Sequence, residues 1–248
     1  MGIVEERNRR KGLWNRIIQL YNGTRIQPNF LRDLRVYGGA AGIYQDKQNT
    51  VRHSNDGNGI AVSILHTGKS YPDDLFEDGI IYHYPDTNRG KSFDEGEINS
   101  VKKCREYDIP LFVISHSENN TSLRDVRLGW VEMWDDNAKE FLISFSKQDN
   151  QSEQSLLNDS TFSAFDKTKT KKTTKISVRI NQGRFRLSVL NRYGCECAVC
   201  YVKNAKLLDA AHLVGKSNNG SDDPRNGIVL CKNHHAAFDK GLFYINPI

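Results

Sequence analysis

Apolar residues recur with two different periods along this chain, and the changes of period divide it. In residues 3–21, Leu13, Ile17, Leu20 and Tyr21 fall at helical spacing among arginines. This predicts a basic amphipathic helix that stops at Asn22-Gly23. Packing of its apolar stripe on the following domain is favoured over a role as a DNA-contacting arm. Residues 31–146 then break into short β-branched and aromatic runs: VYGGAAGIY, GIAVSILHTG, DGIIYHYPD, IPLFVISHS, RLGWVEMW and KEFLISF. Gly, Asp, Asn and Pro clusters separate them, as between strands. One helix interrupts, EGEINSVKKCREY over 95–107, broken by Asp108-Ile109-Pro110. Short strands with one helix predict a curved sheet or small barrel.

Past residue 146 the pattern fades. Residues 147–175 are poor in apolar positions and rich in Ser, Thr, Gln and Lys, a linker composition. Helical spacing returns in 177–193, with Phe185, Val189 and Leu190 on one side and Arg184, Arg186 and Arg192 elsewhere. Leu207–Val214 and Asn226–Leu230 read as strands, and a last helix carries His234, His235 and Asp239. The expected class is α+β, divided as an N-terminal helix (1–30), a β domain (31–146), a basic flexible linker (147–175) and a small C-terminal domain (176–248).

Composition changes this picture little; the distribution of charge changes it more. Of 248 residues, 38% are hydrophobic and 26% charged, enough for a packed core. No apolar run approaches a membrane span, so no membrane partner is expected. The N-terminal MGIVEERNRRKG lacks the apolar stretch of a secretion signal, which makes the cytoplasm the default expectation. Residues 151–248 hold 15 Lys and Arg against 8 Asp and Glu, whereas residues 1–150 hold 20 against 22. A basic C-terminal part suits a polyanion, most simply nucleic acid. Lys167, Lys169, Lys171, Lys172 and Lys175, with Arg184 and Arg186, are the candidate phosphate contacts.

The chemistry concentrates between Cys197 and Asp239. Cys197-x-x-Cys200 and Cys231-x-x-His234 provide two ligand pairs at the spacing of a structural zinc site. Cys195 is surplus to that set and reads as a spectator. Among and beside the pairs stand His212, Asn226 and His235. His235 and Asp239, four residues apart, share a helix face. A zinc-stapled binding module without catalysis would explain the four ligands but not these other residues.

The run DAAHLVGKSNNGSDDPRNGIVLCKNHHAAFDKGLF, led in by NQGRFRLSVLNRYGCECAVC, resembles the HNH (ββα-metal) nucleases. The resemblance implies that His212 is the general base, that Asn226 orients the loop, and that His235 binds the catalytic ion. The roles suit the reaction, because phosphodiester hydrolysis needs a water deprotonated near neutral pH and a cation beside the phosphate. Mg²⁺ or Mn²⁺ would need few protein ligands, and His235 with Asp239 would supply two. Where many family members carry an Asp or His directly before the base, this chain has Ala211. Asp209 shares that side of the strand and is the expected substitute ligand.

In the β domain, Tyr71, Asp73, Asp74, Tyr82 and Tyr84 crowd the stretch GKSYPDDLFEDGIIYHYPDTNRGK. On pattern alone this is a turn rich in Pro and Asp, with tyrosines serving as strand core. The order GGAAGIY, GIAVSILHTGKSYPDD, DGIIYHYPDTNRG, helix, IPLFVIS and LGWVEMW nevertheless resembles the SRA domain, a PUA-like β-barrel. That resemblance implies a pocket for an extruded methyl- or hydroxymethylcytosine, with the five residues in or near it. Together the two resemblances imply a modification-dependent restriction endonuclease acting on double-stranded DNA, which could work as a homodimer. The alternatives are a sequence-specific restriction or homing-type HNH enzyme on unmodified DNA, and a modified-DNA-binding protein that does not cut.

Overall fold

The structure is a computed structural model and describes residues 2–39, 42–53, 56–68, 74–118, 120–147, 162–165 and 177–246. Two compact units emerge, Met1–Trp134 with Glu140–Lys147, and Asp135–Lys139 with Gln148–Ile248. No helix among the described residues is long and apolar enough to cross a membrane.

The first unit is built on a seven-stranded sheet. Its strands are β1 (Ile43–Gln45), β2 (Ala61–His66), β3 (Asp74–Leu75), β4 (Gly79–His83), β5 (Leu111–Ser117), β6 (Asn120–Asp135) and β7 (Glu140–Ser144), in the order β1-β2-β5-β6-β7-β4-β3. Strands β2 and β5 pair in parallel, with Ile64 opposite Val113. The crossover between them carries α4 (Lys91–Glu106), after α1 (Ile3–Tyr21), α2 (Pro28–Asp33) and α3 (Lys47–Thr50). Asp108 ends the α4 segment with φ 50°, ahead of Pro110.

Alternation along β5 shows how the sheet is buried. Leu111 and Val113 face a cluster with Val101 and Cys104 of α4 and with Tyr82, Tyr84 and Phe141. Phe112 and Ile114 face the opposite cluster, with Ile17 of α1 and Leu31 of α2. Both faces are therefore covered, and the strands read as continuous apolar runs. The expected barrel is an open sheet here: among the described residues no pairing joins the edge strands β1 and β3. With helices on each face, the sheet can bury its apolar surface without closing on itself.

Helix α1 ends as its sequence requires, with Asn22 at φ 50° and Gly23 at φ 76°. Its packed face is less apolar than the spacing suggested. Ile17 is buried and Leu13, Trp14 and Tyr21 pack beside it, but Leu20 stays exposed. Glu6 and Arg10 are fully buried instead. Arg10 donates from Nε to Glu6 at 2.7 Å and from Nη1 to the carbonyls of Ala61 at 2.6 Å and Pro110 at 2.8 Å. Burial pushes the Glu6 carboxyl up, but the guanidinium groups of Arg9 and Arg10 more than offset this and hold it below the usual range.

The second unit contains α5 (Ser177–Tyr193), the antiparallel pair β8 (Leu208–His212) and β9 (Gly227–Cys231), and α6 (Lys232–Asp239). Phe185, Val189 and Leu190 of α5 form its core with Leu208, Ala211, Val229 and Leu230. Part of the expected linker belongs to this unit. Ser221 donates through its amide to Ala164 and through its hydroxyl to Ser163, both at 2.9 Å, and Phe165 bridges to Gly220. Arg225 lies over the Phe162 ring.

Candidate active site and metal centre

The two cysteine pairs meet because β9 ends at Cys231 and α6 begins at the next residue. That places His234 one turn into the helix, above the loop bearing Cys197 and Cys200. The ligand atoms of these four residues all lie within 4.8 Å of one another. Zinc–sulfur and zinc–nitrogen bonds of about 2.3 and 2.0 Å put tetrahedral ligands about 3.8 Å (S to S) and 3.5 Å (S to N) apart. The Cys200–Cys231 sulfurs are 3.8 Å apart, and Cys197 Sγ is 3.6 Å from His234 Nδ1. Cys231 Sγ, at 3.1 Å from the same nitrogen, sits closer. The donor set fits a closed structural zinc site. Burial raises the Cys197 thiol pKa, but donation from the amides of Val199, Cys231 and Cys200 brings it down to about 6, readying it as a thiolate.

His212 closes β8 directly opposite Gly227 of β9. Its imidazole lies on Phe185 of α5, with ring centroids 3.7 Å apart and planes at 6°. Gly227 leaves room for this stack. A Cβ there would come within 2.4 Å of Val189 Cγ2 and 2.9 Å of Phe185 Cζ. Asn226, 1% exposed, ties down the loop between the strands. Its amide donates to the carbonyls of Val214 at 3.1 Å and Ser221 at 2.9 Å, while its oxygen accepts from the Val214 amide at 2.9 Å.

His235 sits between two carboxylates. Its Nδ1 is 3.5 Å from Asp209 Oδ2 and its Nε2 is 3.5 Å from Asp239 Oδ2. The Asp209 carboxylate, then that of Asp239, holds the imidazole pKa above its usual value, despite the opposing effect of burial. The His235 hydrogen bond in turn holds Asp209 low. Ala211, at the position where the family often carries a ligand, is fully buried in the core. One imidazole offers one nitrogen to a metal, so the two carboxylates approach it from different edges. One can share an ion with His235 while the other orients the ring.

Two residues of this site were not singled out by sequence reasoning. Asp222 Oδ1 is 2.9 Å from His212 Nε2, and Asp222 Oδ2 is 2.6 Å from Lys216 Nζ. Gly227 is the other, and its pairing opposite a strand-ending histidine is a signal available only once register is known.

The remaining candidates are placed differently. Tyr82 and Tyr84 are buried at 3% and 6% exposure. The Tyr82 hydroxyl donates to the Gly42 carbonyl at 3.2 Å, and Tyr84 packs on Phe141 with centroids 4.5 Å apart. Asp74 lies on β3 opposite Ile81. Tyr71, Asp73, Lys167, Lys169, Lys171, Lys172 and Lys175 lie outside the described residues. Arg184 bonds to Asn181 one helical turn earlier. Arg186 braces α5 against the start of β8, donating to the carbonyls of Ala205 at 2.8 Å and Leu208 at 3.2 Å.

The family described as HNH endonuclease matches residues 197–246. This segment is an HNH endonuclease domain, and the protein is accordingly a DNA-hydrolysing enzyme. No curated protein matches the chain. Similar solved structures include the modification-dependent TagI restriction endonuclease, 17% identical with TM-score 0.35, over 90% of this chain and 78% of that one. A SUVH5 SRA domain bound to fully methylated CG DNA is 20% identical with TM-score 0.36, over 49% of this chain and 85% of that one. The phosphorothioation-dependent restriction endonuclease ScoMcrA is 16% identical with TM-score 0.29, over 86% and 58%.

Proposed function

We propose that this protein is a modification-dependent DNA endonuclease, in which the N-terminal unit selects duplex DNA carrying methyl- or hydroxymethylcytosine and the HNH domain cuts it. The observation that carries the nuclease chemistry is the arrangement of His212, Asn226 and the Asp209–His235–Asp239 group on one strand–loop–strand–helix unit. His212 takes the proton of the attacking water. Asn226 holds the loop that follows His212 through three hydrogen bonds. His235, with Asp239 or Asp209, would hold Mg²⁺ or Mn²⁺. Bound there, the ion supplies positive charge to the scissile phosphate and leaving oxygen. Zinc at Cys197, Cys200, Cys231 and His234 keeps the fold together and does no chemistry.

Selection by modification rests on the SRA resemblance of the first unit. In this reading Tyr71, Asp73 and Asp74 contact the extruded base, while Tyr82 and Tyr84 support them from the core. The lysines from 167 to 175 track phosphates. Cutting both strands calls for two nuclease sites, so the active form is a dimer on DNA, which sedimentation of the DNA complex would reveal.

The burial of Tyr82 and Tyr84 favours a second reading, a sequence-specific HNH nuclease whose first unit reads unmodified bases. Digestion of matched modified and unmodified DNA, with Mg²⁺ or Mn²⁺ and a His212→Ala control, separates the two. The proposal expects cleavage of modified DNA alone, abolished by His212→Ala. Equal cutting of both substrates would sink modification dependence, and binding without nicking under either ion would sink the nuclease assignment.

A further inference from the structure

We propose that Asp222 is a positioning residue for catalysis: its carboxylate fixes the tautomer and orientation of His212, so that Nδ1 is the atom that takes the proton from water. The proposal rests on the reading of His212 as general base and names how that base is prepared.

The argument starts from donor and acceptor inventory. An ionised carboxylate only accepts hydrogen bonds. Asp222 Oδ1 lies 2.9 Å from His212 Nε2, so in neutral His212 the ring proton resides on Nε2 and donates to Asp222. The lone pair is then on Nδ1, which has no hydrogen-bond partner among the described residues. Lys216 Nζ, 2.6 Å from the other carboxylate oxygen, keeps Asp222 charged and aims it. Burial opposes ionisation of Asp222, but the hydrogen bonds from His212 and Lys216 outweigh it.

The surroundings restrict the ring further. Phe185 lies flat on one face, 3.7 Å between centroids, and can offer no competing hydrogen bond in the ring plane. Gly227 opposite presents no side chain. Among the described residues, the charged groups paired around His212 are thus Asp222 and, beyond it, Lys216. The loop holding Asp222 is itself anchored one residue away, where Ser221 is bonded to Asn226, Ser163 and Ala164.

Chemically, the O–H bond of water breaks and its proton moves to Nδ1, while the oxygen forms the new bond to phosphorus. The P–O bond to the leaving sugar oxygen breaks, and that oxygen takes a proton from solvent. His212 becomes an imidazolium bearing both ring protons, and Asp222 offsets its charge. The carboxylate remains unprotonated throughout. A histidine oriented in this way by a hydrogen-bonded carboxylate follows the general logic of a base and its orienting acid.

The test uses the zinc-loaded full chain. Asp222→Asn is expected to lower kcat roughly 10²-fold or more, with little change in KM for DNA, because the amide no longer favours the Nε2–H tautomer. Asp222→Glu should recover part of that loss. Structural damage would instead disturb the fold, which circular dichroism of the zinc-loaded variant would register. Imidazole ¹⁵N shifts of His212 provide a readout independent of turnover, expected to show protonated Nε2 in the parent and lose that bias in Asp222→Asn. An unchanged kcat in Asp222→Asn, in an enzyme that His212→Ala inactivates, would overturn the proposal. So would a parent imidazole protonated on Nδ1. An enzyme that His212→Ala leaves fully active would refute the assignment of the base itself.

Discussion

The imidazole of His212 and the ring of Phe185 are stacked nearly parallel, 3.7 Å between centroids. One aromatic side chain therefore serves both the core of the nuclease unit and the seating of its proposed base, His212. Phe185→Ala should remove about 3–5 kcal/mol of stability by opening a cavity in the small core. Phe185→Leu, which keeps most of the volume, should fold with zinc bound yet lose activity, because a branched aliphatic group cannot offer a flat face to His212. Thermal unfolding and cleavage rates of the two variants would separate packing from seating.

Metal at the cysteine cluster is expected to be a condition of folding for the nuclease unit. Its core is a single small cluster of α5, β8 and β9 residues, to which Cys197 and Cys231 contribute. Small domains of this kind depend on such a staple. Chelation, or Cys200→Ser, should unfold this unit while the helices and sheet of the first unit persist. Circular dichroism with zinc quantification would show a partial loss of structure coinciding with release of the metal.

Acidity should weaken binding of the proposed catalytic ion. The pKa of His235 lies above its usual value near 6.5, so protons compete for its proposed metal-binding nitrogen up to a higher pH than for an ordinary histidine. As pH falls through that region, the concentration of Mn²⁺ giving half-maximal cleavage should rise. Asp209→Asn removes the larger cause of the elevation and should make the dependence begin at lower pH. Titrations of Mn²⁺ at several pH values, in parent and variant, provide the measurement.

The buried Glu6–Arg10 pair makes a prediction for the first unit. Arg10→Ala removes the donor to Ala61, Pro110 and Glu6 together and should cost about 3–5 kcal/mol. Glu6, whose pKa is depressed in the folded chain, contributes stability above its ordinary pKa. That contribution is lost as pH falls through the ordinary value and then the depressed one. Denaturant unfolding of the isolated variant at neutral pH, and of the parent across the acid range, would test both statements.

What the sequence disclosed depended on how local each feature is. Cys197, Cys200, Cys231 and His234 could be read as one group because the spacing within each pair already brings two ligands together. The α5 face of Phe185, Val189 and Leu190 follows from helical period alone. By contrast, Glu6 and Arg10 sit where a hydropathy pattern expects solvent, since their burial is made tolerable by each other and by two distant carbonyls. Asp222 looked like one more polar residue in GKSNNGSDDP. Its approach to His212 depends on how that loop is folded back, with Asn226 bonded across it. The barrel was inferred from strand count, but the number of strands does not say whether helices on both faces make closure unnecessary.

Ser163 and Ala164 hold Ser221 on the loop that carries Asp222. A fragment beginning at residue 176 would retain every candidate ligand and the candidate base, yet lack this strap. The shortest self-sufficient cutting module therefore starts upstream of Phe162, and engineered fusions that exchange the reading half should place their junction there.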